Sequence, residues 1–124
     1  MMFSHQLVMR GDVSVIYCSG RIVAEETAEL RSTVLGAIED TGRVVLHLAS
    51  VSYVDSTGLG LLAFFCSSAR KRSGDVKLVA PSAQVAEVLE LTMLGRLFRV
   101  YASEDDAVAA FAAGARVASN NVVD

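Results

Sequence analysis

Short, almost wholly apolar runs recur along this 124-residue chain at intervals just long enough for one helix each. RVVLHL at 43–48 and VKLVA at 76–80 do not alternate apolar with polar residues as a half-solvated strand would. A strand that is apolar on both sides has to be covered on both sides, and parallel sheets flanked by helices meet that need. The segments between these runs read as helices. Residues 24–39 place Leu30, Val34 and Ile38 at near-helical spacing, and Thr41-Gly42 ends the pattern. A second helix is expected from Ser56 or Thr57 to about Ser73, stopped by Gly74-Asp75, and a third over 84–91 after Pro81-Ser82. A last strand at 98–101 precedes Ser103 and Glu104-Asp105-Asp106, a capped and acidic start for a final helix that ends near Ala113.

The chain opens differently. Residues 6–10 and 13–19 flank Gly11-Asp12, a two-residue turn signal for an antiparallel hairpin. The expectation is therefore an α/β fold: a mixed sheet with an opening hairpin and four helices, in one domain over residues 1–113. Residues 49–55 read as a loop, and 114–124, without a clear pattern, as a flexible C-terminal tail.

Composition narrows the function classes. With 52% hydrophobic and 20% charged residues, the chain has ample material for a packed core. A net charge of -3 and the lack of a basic stripe argue against nucleic acid. The dense basic run Arg70-Lys71-Arg72 suits the C-terminal end of a helix. No run of ~18 apolar residues is present to insert in a membrane, and the first residues, MMFSHQLVMR, lack the pattern of a signal peptide. A cytoplasmic location is expected. Cys18 and Cys66 lie in apolar stretches and read as buried free thiols, with a redox pair as the other reading. With two histidines and no ligand spacing, no metal or other cofactor is expected.

One segment stands out, Ser52-Tyr53-Val54-Asp55-Ser56-Thr57-Gly58-Leu59-Gly60, between a buried strand and a helix. Ligands and partners of open α/β sheets gather at such strand ends. Asp, Ser and Thr are good N-caps, but two glycines in the first turn weaken a helix and call for a reason, such as close packing or the close approach of another molecule. Leu59, Leu61, Leu62, Phe64 and Phe65 then cannot all face one sheet, so this helix is either fully buried or docked on a partner. Gly58, Gly60 and Ala63 fit a G-x-G-x-x-A dinucleotide pattern, but no acidic residue ends the strand that follows. Ser56 as a nucleophile lacks the G-x-S-x-G elbow, and the only bases at hand are His5 and His47. No catalytic residue is assigned.

The stretch VSYVDSTGLGLLAFF, 51–65, resembles the Asp-Ser-Ser/Thr-Gly-Leu-Gly motif of anti-sigma-factor antagonists of the STAS-domain family. Gly20 with the helix after it, Gly74, and Leu89-Glu90-Leu91 leading to Leu97-Phe98 are further points of similarity, and the resemblance runs from about Gln6 to Phe111. It implies a bacterial regulator of transcription and stress response that binds an anti-sigma factor, itself a serine kinase of the histidine-kinase-like ATPase type, and so frees a sigma factor. Ser56 would be the phosphoacceptor that switches binding off, and a phosphatase would reset it. Asp55, Thr57, Gly58, Leu59, Gly60 and Leu62 would meet the partner, and the chain would carry no catalysis of its own. Val23 stands where the family usually has an acidic residue, His47 where it often has Asp or Asn, and Met93 where it has Gly. STAS domains also serve in anion-transport and lipid-transport complexes, and a nucleotide-sensing module is a further alternative. The sequence does not fix the oligomeric state.

Overall fold

The computed structural model describes residues 3–120. β1 (Ser4–Arg10) and β2 (Val13–Ile22) form the opening hairpin, paired residue for residue from Ser4–Ser19 to Arg10–Val13. Gly11 makes the turn with φ +63°, a conformation that disfavours side chains. A 3-10 turn (Ala24–Glu26) and α1 (Ala28–Asp40) lead to β3 (Arg43–Val54). There follow α2 (Ser56–Lys71), β4 (Asp75–Val79), α3 (Ala83–Leu91), a second 3-10 turn (Met93–Leu97), β5 (Arg99–Tyr101) and α4 (Glu104–Asn120). The five strands lie in chain order, with only the β1–β2 pair antiparallel. Each parallel step is bridged by one helix, and crossovers of one hand between successive neighbours place those helices on one face of the sheet.

Both faces of the sheet are dry, as the apolar runs require. Ile16, Cys18, Val44, Leu46, Leu48, Val76 and Leu78 pack with Leu30, Val34 and Ile38 of α1, Leu62 and Phe65 of α2, and Val85 and Leu89 of α3. On the other face Val13, Val15, Val45 and Val79 lie under Ala107 and Phe111 of α4. The N-terminal end of α4 is clamped to the hairpin. Glu104 accepts hydrogen bonds from the Tyr17 hydroxyl and from Arg10, the latter at 2.9 Å, and these hold its carboxyl below the usual range. Beneath α4 the ammonium of the buried Lys77 sits 4.6 Å from the Phe111 ring centre and 3.4 Å from Asp75. Arg70 also binds Asp75, at 2.9 Å, so this arginine pins the end of α2 to the start of β4.

Several boundaries differ from the sequence reading: β1 begins at Ser4 rather than at residue 6, and β2 runs to Ile22 rather than stopping at 19. β3 runs through 49–55 to Val54 instead of becoming a loop. Register shifts against β2, between Tyr17 and Ser19 and between Gly20 and Arg21, each give β3 one extra residue. The inward residues Leu48, Val51 and Val54 therefore fall three apart, a spacing that a search for period two misses. The first helix starts later than residue 24, because 24–26 form a 3-10 turn closed by Glu26 N–H to the Val23 carbonyl at 3.0 Å. α2 stops at Lys71 rather than near Ser73, which takes φ +64°. α4 continues past Ala113 to Asn120, since an alanine-rich stretch tolerates the single Gly114. Of the tail expected at 114–124, residues 121–124 lie outside the described residues.

Two packing facts lead to predictions. A Cβ on Gly74 would lie 2.0 Å from the Gly42 carbonyl oxygen, where the turn after α2 crosses the turn after α1. Backbone cannot move aside as a side-chain end can, so Gly74→Ala is expected to cost about 2 kcal/mol or more, seen as a lowered midpoint in urea unfolding. Cys18 and Cys66 are buried, and burial pushes both thiols up to about 12. Neither is expected to react with a thiol reagent at neutral pH until the protein unfolds, after which both should titrate. Rapid labelling of either in the folded protein would contradict this packing.

Candidate functional site

At the end of β3 the chain turns into α2 through Asp55, and this residue ties three segments together. Its backbone is extended (φ -92°, ψ -179°), as suits an N-cap, and its Oδ1 accepts the Gly58 N–H at 2.7 Å. Its carbonyl accepts the Leu59 N–H at 2.9 Å, the first hydrogen bond of the helix. Its own N–H donates to the Ile22 carbonyl at 3.4 Å, and its Oδ2 accepts from the Ala24 N–H at 3.4 Å. The carboxylate thus links the start of α2 to the 3-10 turn after β2. From α3, Gln84 adds a further tie, its Oε1 accepting the Val54 N–H at 3.2 Å.

The two glycines of the first turn have different reasons. Gly58 is buried, and a Cβ there would lie 2.1 Å from the Ile22 carbonyl oxygen, so the helix can sit against β2 only without a side chain. Gly60 is exposed, and a Cβ there would meet nothing within 4 Å. Internal packing therefore accounts for Gly58 and leaves Gly60 unaccounted for.

Of the residues singled out in the sequence, Ser56, Thr57 and Gly60 are exposed and Asp55 is half-buried. Gly58, Leu59 and Leu62 belong to the interior, with both leucines in the core facing the sheet. These three shape the site from beneath, and their side-chain positions do not form an outer surface. The apolar surplus of α2 resolves in the same way: Leu59, Leu62 and Phe65 point inward, whereas Phe64 remains 41% exposed. With Thr57 and Gly60 it makes an outward stripe at positions i, i+3 and i+7, and the Arg31 guanidinium from α1 lies 5.0 Å from its ring centre. Tyr53, 42% exposed, stands near the end of β3, two residues before Asp55. The sequence reading included Tyr53 in this segment and Phe64 among the surplus apolar residues of the helix but did not name either as a contact, although the i, i+7 spacing from Thr57 to Phe64 was there to be read.

The site's chemistry is that of a presented hydroxyl. The first N–H groups of any helix have no partner within it, and the dipole there favours negative charge. Ser56 stands at that point. Both histidines are engaged elsewhere: His5 Nε2 is 2.9 Å from Thr33 Oγ1, and the His47 ring packs 5.2 Å from the Tyr17 ring on the α4 face of the sheet. Val23, at the usually acidic position, is buried in the core and precedes the 3-10 turn. Among the described residues no cluster of His, Cys, Asp and Glu could hold a metal ion, and no helix is long and apolar enough to cross a membrane.

The chain is similar over 102 residues, at 32% identity, to BtrV of Bordetella bronchiseptica, whose name marks it as a candidate anti-sigma factor antagonist; the match covers 81% of this chain and 88% of BtrV. The fold superposes on the crystal structure of an anti-sigma factor antagonist from Mycobacterium paratuberculosis with a TM-score of 0.76 and 27% identity, covering 88% of this chain and 93% of that one. It also superposes on SpoIIAA in its unphosphorylated form, with a TM-score of 0.72 at 24% identity, covering 85% and 93% of the two chains. The family model of the STAS domain matches residues 5–107, from the opening hairpin into α4. The five-strand mixed sheet, with its buried glycine under the Asp-Ser-Thr turn, is therefore that of a STAS domain, and the chain belongs to the STAS-domain family, among relatives named as anti-sigma factor antagonists.

Proposed function

We propose that this chain is an anti-sigma factor antagonist that binds an anti-sigma serine kinase through the corner around Ser56, and that phosphorylation of Ser56 ends the binding. The observation that carries this reading is the exposure of the Ser56-Thr57 pair on a turn fixed through Asp55, above a glycine that packing requires. A hydroxyl held in one place beside exposed Gly60 and Phe64 suits recognition by a protein that both grips the turn and transfers phosphate to it. In that transfer the Ser56 Oγ takes the γ-phosphoryl group of ATP, its proton passes to a base of the kinase, and ADP leaves. A phosphatase returns the free serine. The chain performs no chemistry of its own and works in the cytoplasm, where its effect is the release of a sigma factor.

Phosphate adds a charge of about -1.5 to -2 at neutral pH. At the N-terminus of α2 the fold accommodates it, because free N–H groups and the dipole favour an anion there. A partner surface pressed on the same turn has to desolvate it beside the Asp55 carboxylate, and that is costly. A loss of roughly 3 kcal/mol weakens binding more than a hundredfold, enough for a switch. Thr57 and Gly60 offer the outward contacts. Gly58, Leu59 and Leu62 act by holding the backbone of the turn.

Two predictions test the reading. Incubated with ATP and the anti-sigma kinases of its host, the protein should gain one phosphate by intact mass, and Ser56→Ala should gain none. Binding of a kinase without phosphorylation would leave a constitutive antagonist, and neither binding nor phosphate would refute the proposal and turn attention to transport complexes or ligand sensing. Asp55→Asn removes the charge while leaving an acceptor for the Gly58 N–H. It should fold normally and lose less affinity on Ser56 phosphorylation than the wild type does, whereas Asp55→Ala should lose about 1 kcal/mol of stability with the cap. Equal loss of affinity in Asp55→Asn and wild type, measured by titration calorimetry, would remove the repulsive role of that carboxylate.

A further inference from the structure

The two edges of the sheet are finished in opposite ways. β5 has only three residues, begins with Arg99, and holds that side chain 3.7 Å from Asp75. A short, charged edge discourages the addition of a strand. β1 has seven residues, pairs with β2 without a bulge, and on its other side pairs with no strand among the described residues. It contains no proline and one formally charged residue, Arg10, whose guanidinium is occupied by Glu104 at 2.9 Å and Asp105 at 2.8 Å. Leu7, Val8 and Met9 are 45%, 37% and 47% exposed. In register, Leu7 and Met9 stand beside Ile16 and Ser14 on the α1 side, and Val8 stands beside Val15 on the α4 side, so the open edge is apolar on both faces.

We propose that β1 is a self-association edge, and that two copies of this chain pair their β1 strands antiparallel to make one continuous ten-stranded sheet. The occupant follows from the chemistry of the edge. About a two-fold axis through Leu7, the register sets Leu7 opposite Leu7, Val8 opposite Gln6, Met9 opposite His5 and Arg10 opposite Ser4. No like charges meet, and the apolar positions of one copy extend those of the other on both faces. Every second amide of β1 points away from β2 and finds a carbonyl across the new seam. Because β5 is short and charged, β1 has no suitable partner at the far edge of another copy, so the association closes as a dimer instead of growing into a fibre. The seam lies at the opposite edge of the β2–β3–β4 core from β5 and does not depend on how Ser56 acts.

A seven-residue seam is small for a protein interface, so a dissociation constant on the order of 10–100 µM is expected. Sedimentation equilibrium across that range should show a monomer–dimer mixture, and amide exchange by NMR should show outward-pointing β1 amides gaining protection as concentration rises. Leu7→Lys sets two lysines face to face at the axis, and at an exposed position it leaves the core intact. It should abolish the dimer with circular dichroism and melting temperature unchanged. Val100→Lys, on the exposed face of β5, should leave dimerisation as in the wild type. A wild-type chain that stays monomeric throughout the range would overturn the proposal, as would a dimer that survives Leu7→Lys or is broken by Val100→Lys.

Discussion

A backbone oxygen at the end of β2 sits where residue 58 can have no side chain. The Ile22 carbonyl also accepts the Asp55 N–H, so one atom fixes both the capping residue and the first turn of the helix it caps. The rest of the corner follows. With Gly58 against β2, the Asp55 side chain reaches the Gly58 N–H, the helix starts at Ser56, and Leu59 and Leu62 are turned into the core. Ser56 and Thr57 are left outside because their neighbours on both sides are committed inside. Their exposure is the residue of a packing problem solved by glycine, and a larger residue at 58 would have to lift the whole turn.

The two buried faces of the sheet do different work in this arrangement. The face toward α1, α2 and α3 holds most of the core and sets the position of α2, so the geometry at Ser56 is inherited from Ile22, Val51, Val54, Leu59 and Leu62 packing together. The face toward α4 is smaller and is fastened by polar contacts as well as apolar ones. Tyr17 and Arg10 hold Glu104, and Lys77 lies between the Phe111 ring and Asp75. The ammonium of this buried lysine lies against a carboxylate and two aromatic faces, with Tyr101 at 5.5 Å as the second ring, contacts that offset the cost of its burial. None of these groups reaches the Ser56 corner, so the α4 side contributes stability while the other side contributes presentation.

Most of the fold was legible because its signals are local. Gly11-Asp12 announces the hairpin, the unbroken apolar runs at 43–48 and 76–80 announce strands covered twice, and Ser82 and Ser103 do cap helices, accepting from Val85 at 3.4 Å and Asp106 at 3.1 Å. The course of β3 beyond Leu48 was not legible, since its inward residues are spaced by bulges that exist only in register with β2. The site divides along the same line. The motif located the turn, and Asp55 and Ser56 stand where a capped helix start requires them. Which of Leu59, Leu62 and Phe64 faces outward depends on the rotation of α2, and Gly58 sets that through an atom thirty-six residues earlier in the chain. The i, i+3, i+7 spacing of Thr57, Gly60 and Phe64 marks one side of the helix, but spacing alone does not say which side the sheet covers.

That dependence bears on how a charge at Ser56 could act on binding without acting on folding. The carboxylate beside it is already occupied by the Gly58 and Ala24 N–H groups, so a phosphate has no stabilising contact to displace and no buried group to strand. Its favourable partners are the open N–H groups of the first turn, which lie on the side from which it would be added. The turn below is held by Ile22, Leu59 and Leu62, all of them buried. A modification on such a platform changes the surface that a partner must desolvate and leaves the platform where it was. Gly60, which nothing within the chain crowds, leaves open space beside the same turn, and under the proposed reading that space admits a second molecule close to the helix backbone.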